Sequence, residues 1–215
     1  MAGKSHVSRR TFLRSAAAAG AVAWTAKSYA RVAGANDRLN MGVIGCGGMA
    51  TGGHLGGLLR LRKEDNLEII AVCDVWDKRA REYADKIKAA GGEAKVFKDY
   101  RELLAIKDLD YVMNATPEHQ HAPITLAALD AGKHVYVEKP MTHTIEEGQA
   151  VVAKAKATGL KVQVGVQGMS DESYAKAHEA ILAGKIGPVV EAQIDYVRCY
   201  VGPGPWRDGN IKEGD

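Results

Sequence analysis

The stretch MGVIGCGGMA, residues 41–50, carries an apolar run straight into a glycine-rich turn. Gly45-Cys46-Gly47-Gly48-Met49-Ala50 has the spacing G-x-G-x-x-G/A, with Ala in the last place. In that spacing the first glycine permits a tight turn and the second lets another group approach the backbone. A small last residue lets the following helix pack on the preceding strand. Such a turn alone is a weak signal. It gains weight here because a strand-like run precedes it, a helix-like segment follows, and an acid, Asp74, closes the next apolar run.

Outward from the turn, LNMGVIGC and NLEIIAVCDV read as strands rich in Ile and Val. Between them MATGGHLGGLLRLRKED reads as a helix, weak by propensity because of Gly52, Gly53, Gly56 and Gly57; close packing on a sheet or ligand would account for them. KRAREYADKIKAAGG then predicts an amphipathic helix stopped by a Gly pair. AKVF, LDYVMNAT, HVYVEK and KVQVGV follow as strands, alternating with helices over DYRELLAI, APITLAALDAG and TIEEGQAVVAKAKATG. Apolar strands alternating with helices predict an α/β fold, a Rossmann-type doubly wound parallel sheet covered on both faces.

Near Gly168 the pattern changes. SDESYAKAHEAILAGKIG predicts a helix, PVVEAQIDYVRCYV a long alternating strand and GPGPWRDGNIKEGD a loop. A strand of that kind needs antiparallel partners, and none follow. The expected organisation is a dinucleotide-binding domain over 36–167 and, over 168–215, the beginning of a second α/β domain with an open sheet.

The first 33 residues stand apart. A basic start, a small apolar stretch from Ser15 to Ala26 and small residues around Ser28 and Ala30 have the layout of a secretory signal, and Ser8-Arg9-Arg10-Thr11-Phe12-Leu13 fits the twin-arginine type. The stretch is short of the ~20 apolar residues a membrane span needs. Export, to a bacterial periplasm for example, is expected, with no membrane anchor after processing. The 29 Lys and Arg include five within the first 30 residues, where no acid stands; the remaining 24 face 26 acids. The formal charge of +3 is thus a property of the leader, and no nucleic-acid footprint is expected. Cys46, Cys73 and Cys199 are too few and too irregular for a disulfide framework or a zinc site and read as buried thiols, although a Cys46–Cys73 bridge is conceivable.

In open α/β sheets ligands bind at the carboxyl ends of the strands. The helix that opens after Gly48 and Met49 offers free N–H groups and a positive dipole end to a pyrophosphate. Asp74 can accept from both ribose hydroxyls of an adenosine and would repel a 2′-phosphate, which favours NAD over NADP; Lys78 or Arg79 would soften that preference without excluding NADP. In NATPEHQHAP, residues 114–123, Asn114, Thr116 and Pro117 form a turn able to line the cofactor, with Ala115 inside it. His119 and His121 have no third ligand in view, so no metal is expected. VYVEKP, residues 135–140, delivers Glu138 and Lys139 to the same edge. A lysine there can orient a hydroxyl or carbonyl, stabilise a developing oxyanion or shuttle a proton, and Pro140 stiffens the turn, with a cis bond as one way of doing so.

MGVIGCGGMA, AVCDV, NATPEHQHAPITLAALDAGKHVYVEKPMTHTIEEGQAVV and VQVGVQ together resemble the Gfo/Idh/MocA family of glucose-fructose oxidoreductase and inositol dehydrogenase, over about Leu39 to Val201. The resemblance implies a Rossmann domain followed by an α/β domain carrying substrate and oligomer contacts. It also implies hydride transfer between NAD, or NADP, and a sugar, polyol or related carbohydrate. Lys139 matches the family's E-K-P lysine, close to nicotinamide and substrate. Gly45, Gly47, Asp74, Thr116, Pro117, His121, Glu138 and Gln167 fall on positions that similar proteins use around the cofactor, and Cys46, Gly48, Met49 and Ala115 complete the same loops. The arginine that commonly follows the glutamine is replaced by Gly168 and Met169. The family's usual catalytic Asp and His would lie beyond Asp215, so the chain is expected to bind dinucleotide without turning over. Two other readings stay open: a glycoside hydrolase or lyase that works by transient oxidation on bound NAD, and a non-catalytic dinucleotide-binding protein.

Overall fold

A computed structural model describes residues 38–169 and 171–195. Six parallel strands form one sheet: β1 (Leu39–Ile44), β2 (Leu67–Cys73), β3 (Lys95–Phe97), β4 (Tyr111–Asn114), β5 (His134–Glu138) and β6 (Val162–Gly165), in the order β3-β2-β1-β4-β5-β6. That order reverses direction at β1, which puts a crevice at the carboxyl ends of β1 and β4. A π-helical turn (Met49–His54) leads into α1 (Leu55–Glu64); α2 (Asp77–Ala89), α3 (Tyr100–Leu104), α4 (His121–Asp130) and α5 (Ile145–Thr158) make the remaining crossovers, and α6 (Glu172–Leu182) follows β6.

Two apolar layers sandwich the sheet. On one face Met41, Val43, Ile69 and Met113 pack with Leu55 of α1 and with Tyr83 and Ile87 of α2. On the other, Ile44, Val112, Val135 and Val137 pack with Leu103 and Leu104 of α3 and with Ile124, Ala128 and Leu129 of α4. A register shift between Met41 and Gly42 skips Ile70, so Leu67 and Ile69 serve the first layer while Ala71 and Cys73 serve the second. Helix α5 starts on a capping box, with Thr144 accepting from the Glu147 N–H, and ends at Gly159 with φ +70°, the left-handed conformation that glycine tolerates best.

Three expectations meet a different outcome. Gly52, Gly56 and Gly57 face open space and Gly53 approaches only the Met49 side chain, so packing on the sheet does not explain this glycine-rich helix. Its first turn is π-helical instead of α-helical. Residues 188–195, expected to begin a long strand, are exposed and form no ladder with the described strands; 196–201 lie outside the described residues. The leader at 1–33, Cys199 and the final loop at 202–215 also lie outside them.

Candidate functional site

The glycine turn sits where β1 ends, clasped between the ends of β2 and β4. Gly45 donates its N–H to the Cys73 carbonyl (2.8 Å), and Ala115 donates to the Ile44 carbonyl (2.8 Å). Gly45 has φ +88°, and a Cβ there would stand 2.7 Å from the Ala115 carbonyl group and 2.8 Å from the Thr116 nitrogen. Glycine is therefore required twice over, by conformation and by space. Ala50, the small residue that closes the motif, is fully buried.

Asp74 follows β2 directly. Its Oδ2 accepts the Cys46 N–H (2.8 Å) and its Oδ1 accepts the Trp76 N–H (2.8 Å), so the carboxylate braces the turn from beneath while keeping lone pairs for a ligand. Beside it, the Lys78 ammonium and Arg79 guanidinium lie against the Trp76 ring, at 5.4 and 4.9 Å from its centroid. The same Arg79 reaches within 3.5 Å of where a Cβ on Gly47 would stand.

The loop after β4 is built by Asn114, which is fully buried. Its Oδ1 accepts the Thr116 hydroxyl (2.6 Å) and its Nδ2 donates to the His121 carbonyl (3.1 Å). A cleft of about 680 Å³ opens here, lined by Asp74, Val75, Tyr100, Thr116, Pro117 and His119 among others. His121 does not line it. The ring is buried, with Nδ1 2.6 Å from the Pro140 carbonyl and Nε2 2.8 Å from the Thr116 carbonyl. It staples the loop after β4 to the one after β5.

At the end of β5, Glu138 is buried and its Oε1 lies 2.6 Å from His54 Nε2. Lys139 is exposed at the sheet edge, and the Lys139–Pro140 bond is cis. Gln167 is exposed in the turn after β6. His54 and Tyr136 are site-side residues that the sequence reading did not single out. The one signal for His54 was a ring placed four residues past Ala50 within a glycine-rich helix.

The thiols of this edge are free and buried. Burial, and after it the Asp74 charge, pushes both Cys46 and Cys73 up to about 12 from an ordinary 9.0. They stay protonated at neutral pH and act as packing groups.

The residues present fit a dinucleotide. Gly48 caps the π-turn without a side-chain hydrogen bond, the first turn holds no acid, and a Cβ on Gly48 would meet nothing within 4 Å. The N-terminal end of a helical turn carries free N–H groups and a positive dipole end, the arrangement that receives phosphates. A model of the oxidoreductase family with an NAD-binding Rossmann fold matches residues 39–166. The chain belongs to the Gfo/Idh/MocA oxidoreductase family.

Curated members of that family are similar across the same region. Inositol 2-dehydrogenase of Salmonella typhimurium is 33% identical over 150 residues, 69% of this chain and 43% of that protein. The scyllo-inositol 2-dehydrogenase (NAD(+)) of Bacillus subtilis is 35% identical over 120 residues, 56% of this chain and 34% of that protein. Among solved structures, the WlbA dehydrogenase of Bordetella pertussis in complex with NADH and UDP-GlcNAcA superposes with a TM-score of 0.62 at 26% identity, covering 71% of this chain and 42% of that one. A 3-ketoreductase of Actinomadura kijaniata in complex with NADP and TDP-benzene gives 0.60 at 27% identity, over 68% and 43%. The chain thus spans less than half the length of these relatives. Residues 39–166 are the NAD-binding Rossmann part of the family.

Proposed function

We propose that the whole protein transfers a hydride between a nicotinamide cofactor, NAD in preference to NADP, and a hydroxyl-bearing carbon of a polyol or sugar. The observation that carries this reading is the convergence on one sheet edge of the Gly45–Ala50 turn, the Asp74 carboxylate and the exposed Lys139. The turn and the uncapped N–H groups after it hold the pyrophosphate. Asp74, already fixed by two backbone N–H groups, presents its remaining lone pairs to ribose hydroxyls, and Arg79 beside Gly47 moderates the preference between the dinucleotides. The bound nicotinamide supplies or accepts the hydride. Lys139 orients the reacting oxygen and stabilises charge that develops on it. Polyol dehydrogenases among the relatives support the substrate class.

Residues 1–33 support export by the twin-arginine route, and the oligomer contacts are assigned to residues from 168 onward. Replacing Arg9 and Arg10 by Lys is expected to leave the precursor in the cytoplasm, read by fractionation.

The test of the reaction is NADH formation at 340 nm from polyols and sugars with the full-length protein. Lys139→Ala is expected to lower kcat by about 10²–10³ while NAD affinity holds, the size of effect seen when one transition-state donor is lost. Bound NAD without turnover of any polyol or sugar, or a Lys139→Ala variant as active as wild type, contradicts the reading.

A further inference from the structure

Beneath the end of β5 three polar side chains meet. Tyr136 and Glu138 are two residues apart on the strand and share one face, the face that packs with α1 and α2. Glu138 is 6% exposed, and its Oε1 lies 2.6 Å from His54 Nε2. The His54 and Tyr136 rings pack edge to face, 5.5 Å between centroids and 78° between planes. The Tyr136 phenol is pushed up, first by burial and then by the charge of Glu138 and a hydrogen bond to it. Gly165 of β6 lies against this group: a Cβ there would collide with the Tyr136 hydroxyl and stand 2.9 Å from Glu138 Oε1. A carboxylate taken out of water needs such partners.

His54 reaches Glu138 from 84 positions away in sequence, and the π-helical turn is what delivers it. On an α-helix the residues that share a face are three or four apart. Here Ala50 and Leu55 are both buried and five apart, and the Leu55 N–H donates to the Ala50 carbonyl. The wide turn inserts one residue between them and leaves His54 half-buried at the side of the core, facing β5. π-Turns of this kind recur at functional sites. The turn begins at Gly48, on the phosphate-facing end, and the residue after Glu138 is Lys139. One hydrogen bond therefore joins the two ends of the site.

We propose that His54 is a positioning residue for Lys139: its Nε2–H, held by the Glu138 carboxylate, ties the end of β5 to the turn over the glycine loop and sets where the Lys139 ammonium stands against bound dinucleotide. An ionised carboxylate only accepts, so the proposal assigns the donor role to Nε2. This assignment rests on the hydride-transfer reading of the site.

The test uses the full-length protein with His54→Ala, His54→Gln and the double variant His54→Ala/Glu138→Gln. Three quantities are measured: NADH affinity by fluorescence titration, protection of Lys139 from acetylation at saturating NADH by mass spectrometry, and kcat and KM. In His54→Ala the NADH Kd stays within about twofold, while Lys139 protection and kcat each fall about tenfold with KM unchanged, the scale of one hydrogen bond to a charged group. His54→Gln recovers most of both, because its amide donor stands close to where Nε2 was. Adding Glu138→Gln to His54→Ala lowers neither further. Wild-type protection and kcat in His54→Ala overturn the proposal. So does equal loss in the Ala and Gln variants accompanied by a lower Tm, which marks a packing role only. If the wild type transfers no hydride, the functional reading falls, and the Lys139 protection ratio still decides the role of His54.

Discussion

The carboxyl edge of the sheet has two halves built from different material. The half over β1, β2 and β4 is made of backbone pinned by the side chains of Asp74 and Asn114: Gly45 and Ala115 bond to neighbouring strand ends, and the Asp74 carboxylate holds two N–H groups. The half over β5 is made of side chains that come from far away, with His54 on Glu138 and His121 between the Thr116 and Pro140 carbonyls. At Gly45 the backbone-built half tolerates no added atom, because the peptide groups of Ala115 and Thr116 cannot move aside. A side-chain-built site can be retuned one hydrogen bond at a time. Binding is assigned to the first half and the orientation of chemistry to the second.

That division can be broken most severely at Gly45. Gly45→Ala puts a Cβ 2.7 Å from the Ala115 carbonyl group and a side chain at φ +88°. Its expected cost is about 1–3 kcal/mol of stability by denaturant titration, together with loss of measurable NAD binding. Next comes Asp74→Asn, which keeps a carbonyl oxygen for one N–H and removes the charge: NAD affinity falls roughly tenfold and the preference over NADP narrows, both read by calorimetry. Gly165→Ala sharpens the contrast from the other side. It pushes on Tyr136 and Glu138, so kcat is expected to fall several-fold while NAD affinity stays within about twofold. An NAD affinity that fell with kcat would merge the two halves.

The smallest effect is alkaline. Folding raises Cys46, Cys73 and Tyr111 to about 12, from ordinary values of 9.0 for the thiols and 10.0 for the phenol. Above pH 9 the unfolded chain therefore loses protons first. The stability these groups contribute is whole below about pH 9 and is lost as pH rises towards 12, so Tm is expected to decline over that window. Alkylation of the folded protein by iodoacetamide at pH 7.5 should be slow for Cys46 and Cys73, with guanidinium-unfolded protein as the fast reference.

The same division governs what the sequence could tell. Strand and helix alternation, the glycine turn and Asp74 were legible because each depends on residues close in the chain: β-branched runs, a missing Cβ, an acid at a strand end. The parallel order β3-β2-β1-β4-β5-β6 is the one a Rossmann-type reading expects. The skip at Ile70 was not legible, since LEIIAVC is apolar on both faces and alternation carries no register there. Nor was the π-turn, where glycines hide the helical period that would show Ala50 and Leu55 to be five apart. The burial of Glu138 was not legible either, because it depends on His54 and Tyr136, contacts that no local pattern encodes. PVVEAQID, residues 188–195, alternates like the start of a strand, yet alternation becomes a strand only where an edge accepts its hydrogen bonds.

The central claim is that the backbone-built half holds a dinucleotide. Calorimetric titration of the full-length protein with NAD, beside the Gly45→Ala variant shown by circular dichroism to be folded, tests it directly. The account predicts one saturable NAD site per chain in the wild type and none in the variant. A folded wild-type protein that takes up no NAD at millimolar concentration, or a variant that binds it equally well, would contradict it.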